Sequence, residues 1–316
     1  MFFIALIGAW IYLFVISLKS YFATPSIYPK KHINELGTSY PFVSVIVPAR
    51  NEQNYIKRSL LSILSQNYTN FEVIVIDDNS TDNTLKLIKE IKNAVGSPLK
   101  EKLKVISLSE KPEDWNGKAW ACEQGYLQSQ GDILLFTDAD TYYNSKNALS
   151  LAVSHMQNQR LEVLTGNPRI ELPDFWSKVS IPLWNHFARI LGEDTAALND
   201  PTSDTAYVLG TFFLIYRSVL RNVGGFRAVR KAIHEDVALG IELKKTGHNI
   251  KIVRFYTLQT ALWSRDLRSL WNGIRRTLAP MSKFHLVTDF IIIFLMTLFP
   301  FLFLLYTLPV CIVYFF

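Results

Sequence analysis

Apolar positions along the chain fall into two kinds of pattern, continuous at the ends and periodic in the middle. From Phe2 to Leu18, FFIALIGAWIYLFVISL carries no charge, and FIIIFLMTLFPFLFLLYTLPVCIVYFF runs uncharged from Phe290 to Phe316. About 20 apolar residues suffice to cross a bilayer. The ends therefore predict transmembrane segments at residues 1–22 and 286–316, the second as one tilted helix or a bent pair broken near Pro300 and Pro309. No Lys or Arg precedes the first run and no clear small-residue cleavage site follows it, which argues against a cleaved signal peptide. Before the last run, WSRDLRSLWNGIRRTL sets Trp263, Leu267, Leu270, Trp271, Ile274 and Leu278 on one helical face with arginines opposite. That pattern suits an interfacial helix over 263–285, although a helix packed on a sheet would show the same asymmetry.

Residues 40–262 form the globular region, where short apolar runs alternate with helical periodicity. FVSVIVPAR predicts a strand stopped by Pro48, and NEQNYIKRSLLSILSQ a helix burying Ile56, Leu60, Ile63 and Leu64. FEVIVIDDNS repeats the strand and polar turn, and Leu85, Ile88 and Ile91 mark the next helix. LKVISL, GKAWACEQGYLQS and DILLFTDAD predict strand, helix and strand. This alternation implies an α/β fold, a mostly parallel sheet with helices on both faces. Further on, VLTGNPRI, TAYVLGTFFLIYR and IKIVRF predict strands, and HEDVALGIELKKTG a helix opened by acids and closed by Gly247. Ligands of such sheets bind outside the carboxyl ends of the strands. Pro48–Glu52, Asp77–Asp82 and the pair Asp138 and Asp140 are therefore expected to converge.

The hydrophobic fraction of 49% is high because of the two ends, and the net charge of +6 owes much to residues beside them. Lys19, Lys30 and Lys31 follow the first run, while Arg265, Arg268, Arg275, Arg276 and Lys283 precede the last. By the positive-inside rule these flanks face the cytoplasm, which predicts an integral membrane protein with a cytoplasmic globular domain. Anionic headgroups explain the basic excess better than nucleic acid does. With only Cys122 and Cys311, no disulfide framework is expected.

If DILLFTDAD is strand to its end, Asp138 and Asp140 share a face, and their mutual repulsion calls for a positive partner. Mg2+ suits that role, since it is commonly held by one or two carboxylates while substrate phosphates complete its shell. An isolated Asp-x-Asp is equally at home as a turn former or helix cap. No G-x-G-x-x-G follows the first strand, which disfavours a dinucleotide-dependent oxidoreductase.

VSVIVPARNE, VIVIDDNSTDNT, NGKAWACEQG, FTDAD and HEDVALGIELKKTGHNI, in this order, resemble the family 2 glycosyltransferases, inverting enzymes of the Rossmann-like GT-A fold, over nearly all of residues 42–260. The resemblance implies a nucleotide diphosphate sugar donor, with UDP the expected nucleotide, and Mg2+ or Mn2+ as cofactor. It places Pro48, Arg50 and Glu52 along the nucleotide, Asp77 or Asp78 at the uracil or ribose, Gly117 and Lys118 near the diphosphate, Asp138 and Asp140 at the metal, and Asp236 as catalytic base. Arg275 and Arg276 could close over the diphosphate, since guanidinium pairs well with phosphate oxygens. Against these roles stand plainer ones: Lys118 as a solvated lysine, Glu235 and Asp236 as acids favoured at a helix start, Cys122 and Trp120 as packing.

Processive synthases of that family carry Gln-x-x-Arg-Trp after the base, where this chain has NGIRR from Asn272 and no tryptophan. Trp115 to Ala121 instead echoes the Trp-x-Gly-Lys-x-Trp-Ala of hopanoid-associated and carotenoid glycosyltransferases. The expectation is transfer of one sugar to a membrane lipid. A polyprenyl-phosphate sugar transferase, a processive polysaccharide synthase and a catalytically silent membrane scaffold are the alternatives.

Overall fold

The computed structural model describes residues 2–28, 40–178, 180–182 and 194–281. Helix α1 (Phe2–Ala23) precedes β1 (Val43–Ala49), α2 (Ile56–Leu64), β2 (Phe71–Asp78), α3 (Thr84–Ala94), α4 (Leu99–Lys102), β3 (Leu103–Leu108), α5 (Gly117–Gln128) and β4 (Ile133–Phe136). Next come β5 (Thr141–Tyr143), α6 (Ala148–Asn158), β6 (Val163–Asn167), β7 (Arg169–Glu171), α7 (Thr195–Asn199), β8 (Phe213–Tyr216) and α8 (Arg217–Asn222). A 3-10 turn (Gly225–Val229), α9 (Glu235–Lys245), β9 (Ile250–Arg254), β10 (Gln259–Leu262) and α10 (Leu267–Met281) complete the series.

Two compact units divide the chain. The first, Met1–Leu172 with His186–Trp263, contains a seven-stranded sheet in the order β3-β2-β1-β4-β8-β6-β9 and a small sheet in the order β5-β10-β7. Strands β3, β2, β1 and β4 are parallel, β8 is antiparallel to both neighbours, and β6 and β9 are parallel. The expected mostly parallel sheet is therefore present, with one reversed strand.

Alternation along β1 shows why both faces are covered. Val43, Val45 and Val47 join Ile56 and Leu60 of α2 and Ile88 of α3 in one core, whereas Ile46 joins Ala119 of α5 and Leu239 of α9 in the other. Burying a Val or Ile side chain contributes about 1.5–3 kcal/mol. These two layers therefore hold the sheet rigid beneath its loops.

The chain runs β1 to β2 to β3 on one side and then crosses to β4 on the other, so β1 and β4 flank a switch in strand order. Strand β4 pairs with β1 only as far as Phe136 opposite Ile46, while β1 continues beside β2 to Ala49. Pro48 lies inside that extension and does not stop the strand. No β4 residue is paired opposite it there, a position where a residue without an N–H is tolerated.

Other boundaries differ from the sequence pattern. Asp138 and Asp140 lie in the turn beyond β4, so the shared strand face does not apply to them. VLTGNPRI splits into β6 and β7, which belong to different sheets. Of TAYVLGTFFLIYR only Phe213–Tyr216 is strand. Trp263 precedes α10, and in the second unit (Pro173–Asn185 with Ser264–Phe316) the helix starts at Leu267. Asp266 and Ser269 cap α10 reciprocally: the Ser269 amide donates to Asp266 Oδ1 at 2.7 Å and the Asp266 amide to Ser269 Oγ at 2.9 Å.

The N-terminal apolar run is helix α1, whose described side chains are those of Gly8, Ile11, Tyr12 and the residues from Phe14 on. Counted over the described residues, no helix is long and apolar enough to cross a membrane. The structure thus lends no support to a transmembrane α1, and the expected segment at 286–316 lies outside the described residues. The end of α1 is fastened to the first unit. Ser20 Oγ donates to Asp194 Oδ1, Thr24 Oγ1 to Thr195 Oγ1 at 2.7 Å, and the Arg254 amide to Pro25 O at 2.8 Å.

Candidate active site

Two turns at the carboxyl ends of β1 and β2 are stitched to each other. Asn51 and Asn79 both take left-handed backbone, with φ of 57° and 51°, a conformation asparagine tolerates better than most residues. The Asn51 amide donates to Ser80 Oγ at 3.0 Å, Asn51 Oδ1 accepts from the Thr81 amide at 2.8 Å, and the Glu52 amide donates to Thr84 Oγ1 at 2.7 Å. The stitching brings Arg50 Nη1 to 3.5 Å from Asp78 Oδ2. Asp77 is 1% exposed; its Oδ2 accepts from the Ser80 amide at 3.3 Å, while its Oδ1 is buried without a partner. An unfilled buried acceptor is costly and awaits a donor.

Helix α5 starts beside these groups. A Cβ on Gly117 would lie 2.6 Å from Asp78 Oδ2, so the helix can approach this closely only with glycine there. The next residue, Lys118, places Nζ 2.8 Å from Asp138 Oδ1 and 3.0 Å from Glu235 Oε1. The helix start is held against the loop ahead of α9 because the Asn116 amide donates to Arg230 O at 2.7 Å and its side-chain amide to Ala232 O. Lys118 is thus no freely solvated lysine. Withdrawal from water works against its ammonium, but Asp138, Glu235 and Asp236 outweigh that and hold its pKa well above the usual lysine value. Burial raises the Glu235 carboxyl; Lys118 opposes the rise and Asp236 adds to it.

Asp236 occupies the first turn of α9 without capping it in the usual way. Its Oδ1 accepts from the adjacent Val237 amide at 2.9 Å and its Oδ2 from the Gly210 amide at 3.2 Å. Gly210 belongs to the buried TAYVLG loop, which is pinned from several sides: the Leu209 amide donates to Thr165 Oγ1 at 2.9 Å, and Thr211 O accepts from Thr137 Oγ1 at 2.8 Å and Gln259 Nε2 at 3.0 Å. A Cβ at Gly210 would lie 2.6 Å from Lys118 Nζ, 3.3 Å from Asp236 Oδ2 and 3.6 Å from Asp138 Oδ2. This glycine marks the point where lysine, base candidate and acidic turn meet.

Of the sequence candidates, Arg50, Asp78, Gly117, Lys118, Asp138 and Asp236 form one chain of contacts, with Pro48, Glu52 and Asp77 on the same strand ends. Asp140 follows Asp138 in its turn. Arg275 and Arg276 belong to α10 of the second unit. The sequence pattern gives no role to Gly210 and gives Glu235 only that of a helix-start acid. A lone glycine in a strand-like apolar run signals close backbone approach and was the available clue to the first. Beyond its place at a helix start, Glu235 is 7% exposed and ion-paired with Lys118.

Asp138 and Asp140 offer only oxygen donors, the kind Mg2+ and Mn2+ prefer when phosphate oxygens complete the shell, so the residues present fit such an ion. Among the described residues no cluster of three or more His, Cys, Asp or Glu side chains is poised to hold a metal by itself.

Fold and site together define a doubly wound α/β protein whose candidate residues gather at the carboxyl ends of its parallel strands, where ligands of such sheets bind. By its sequence the chain belongs to glycosyl transferase family 2, whose model matches residues 44–236. Among curated relatives, a β-monoglucosyldiacylglycerol synthase of a Nostoc species is 27% identical over 266 residues, 79% of this chain and 53% of that protein. The 4,4'-diaponeurosporenoate glycosyltransferase of Staphylococcus haemolyticus is 33% identical over 124 residues, 39% of this chain and 31% of that one. A poly-β-1,6-N-acetyl-D-glucosamine synthase of Staphylococcus epidermidis is 28% identical over 212 residues, 66% and 47% of the two chains. The chain spans about half or less of the length of these relatives. Among solved structures, the mannosyltransferase PcManGT of Pyrobaculum calidifontis, in complex with GDP-Man and Mn2+, superposes with a TM-score of 0.60 at 20% identity, covering 87% of this chain and 71% of that one. That likeness supports the GT-A-like fold.

Proposed function

We propose that this protein is an inverting glycosyltransferase that moves one sugar from a nucleotide diphosphate sugar, UDP-linked, to a membrane lipid. The observation that carries the reading is the convergence of Lys118, Asp138 and Asp236 around Gly210, with the Arg50–Asp78 pair against Gly117 at the start of the same helix. Asp77 and Asp78 receive the nucleoside, with the unpartnered Asp77 Oδ1 suited to an N–H of the base. Lys118 meets the diphosphate. Asp138 and Asp140 would hold Mg2+ or Mn2+, which would supply neutralisation of the charge that grows on the leaving diphosphate.

Asp236 accepts the proton of the acceptor hydroxyl as its oxygen attacks the anomeric carbon. The bond from that carbon to the phosphate oxygen breaks in the same displacement, and its electron pair leaves with the diphosphate. The Gly210 and Val237 amides orient the Asp236 carboxylate, and the Lys118 ammonium stabilises the departing charge.

Membrane attachment is part of this proposal. Ile11, Tyr12, Phe14, Val15, Leu18, Tyr21 and Phe22 of α1 are all exposed, an apolar surface unusual on a soluble protein. The uncharged C-terminal run and the basic residues flanking both ends support residues 1–22 and 286–316 as anchors, with the domain on the cytoplasmic side. Relatives named for lipid and carotenoid glycosylation favour a lipid acceptor. The polymer-synthase relative favours the processive alternative, against which stands NGIRR in place of a Gln-x-x-Arg-Trp signature.

The test is to incubate the purified full chain with a panel of nucleotide sugars and a membrane lipid extract, then analyse the lipids by mass. A single hexose-type increment on a lipid, with matching nucleoside diphosphate release, supports the reading. A ladder of increments would indicate a polymerase, and donor turnover with no lipid product would exclude the lipid acceptor.

A further inference from the structure

The Lys118 ammonium pairs directly with Asp138, one of the two carboxylates that would hold a metal. Its Nζ is 2.8 Å from Asp138 Oδ1 and 3.0 Å from Glu235 Oε1, and the missing side chain at Gly210 leaves room for it, since a Cβ there would come within 2.6 Å. Like charges at such close range repel, and a dication does so more strongly than a single charge. An ammonium and a divalent cation therefore do not share the same carboxylate oxygen comfortably.

We propose that Lys118 is the resident cation of the donor-free site, an occupant of the Asp138 carboxylate that yields to Mg2+ or Mn2+ only when a nucleotide diphosphate draws its ammonium away. This rests on the donor and metal reading above and adds a binding order to it: the metal enters with or after the nucleotide. The geometry permits the exchange. Lys118 keeps 38% of its side chain exposed on a flexible four-carbon stem, and the incoming phosphate oxygens offer its ammonium a new partner. Glu235, with 9% of its side chain exposed, is the fixed end of the arrangement, restraining the lysine near the diphosphate as it leaves Asp138.

Mn2+ binding to the purified full chain, followed by electron paramagnetic resonance with and without UDP and with no acceptor present, tests this apart from turnover. In the wild type, UDP should strengthen Mn2+ binding on the order of tenfold or more, and by reciprocity Mn2+ should strengthen UDP binding by the same factor. Lys118→Met, which removes the competing neighbouring charge, should raise UDP-free Mn2+ affinity by roughly tenfold or more and should shrink the enhancement by UDP. Gly210→Ala, which crowds the ammonium without removing it, should shift UDP-free affinity in the same direction. If both folded variants bind Mn2+ without UDP no better than the wild type while UDP still enhances wild-type binding, the resident-cation proposal is overturned and the metal reading stands. If the wild type binds no Mn2+ even with UDP, the metal reading falls and takes the proposal with it.

Discussion

At Asp138, the carboxylate is met by the Lys118 ammonium, which also reaches Glu235. Asp138 and Asp140 owe their proximity to a turn and not to strand alternation, so their carboxylates are free of a fixed common face. Their role in the proposed reaction is still that of oxygen ligands completed by the diphosphate. Asp140→Ala should accordingly remove most turnover, and excess chelator should do the same to the wild type. Full activity in chelator, measured as nucleoside diphosphate release, would refute the metal assignment. Glu235 shows the limit of local reasoning at this scale. An acid at a helix start is explained by the helix dipole, and only the tertiary approach of α5 turns it into a lysine partner.

Elements β1 to β4 with α2, α3 and α5 were legible because their apolar periods, two and 3.6, agree with their local turn chemistry. The later half was less so. TAYVLGT carries strand-like residues, but its backbone bonds go to Thr165, Thr137 and Gln259 from distant elements, a pairing no local period announces. Pro168 divides VLTGNPRI between two sheets, and α6 and β10 carried no pattern strong enough to assign. The site was legible as separate loops because ligand groups collect at strand ends, whereas Gly210 was hidden in the misassigned loop.

Packing of α9 against that loop fixes Asp236 relative to Gly210. A Cβ at Gly240 would lie 2.3–2.7 Å from the Tyr207 backbone, which cannot rotate away as a side chain can. Gly240→Ala should therefore destabilise the protein by about 1–3 kcal/mol or more, read as a lowered denaturant midpoint, and lower turnover through a displaced Asp236. At the opposite end of the sheet, Glu72 joins β2 to its neighbours, accepting from Ser44 Oγ at 2.7 Å and the Gln130 amide at 2.7 Å and pairing with Lys104 at 2.7 Å. Burial opposes its charge, but the bonds from Lys104, Ser44 and Gln130 outweigh burial and lower its pKa. A lowered folded-state pKa adds stability above the usual carboxylate range that is lost as pH falls through the folded value. Glu72→Gln should cost about 1–3 kcal/mol at pH 7, and the gap to wild type should close as pH falls below the usual carboxylate range. A gap that persists unchanged in acid would show that shape, not charge, holds this joint.

For the whole molecule, the proposed attachment places an enzyme of nucleotide chemistry at a lipid surface. The α1 end is fastened to the first unit through Ser20, Thr24 and Pro25, so an anchored α1 would hold that unit near the bilayer. In the second unit Leu267 and Trp271 of α10 are exposed at 51% and 60%, while Leu270 is buried, an exposed apolar edge suited to the interface. Replacing Trp263 and Trp271 with serine should impair transfer to a long-chain lipid far more than donor hydrolysis or transfer to a short soluble acceptor. Equal losses on all three would assign these tryptophans to the fold. The most direct measurement is a paired one on Asp236→Asn, turnover beside UDP affinity by calorimetry. If Asp236 takes the acceptor's proton, turnover falls about a hundredfold to ten-thousandfold while the UDP dissociation constant stays within about threefold of wild type. Near wild-type turnover, or a collapse of UDP binding along with activity, would contradict a base at this position.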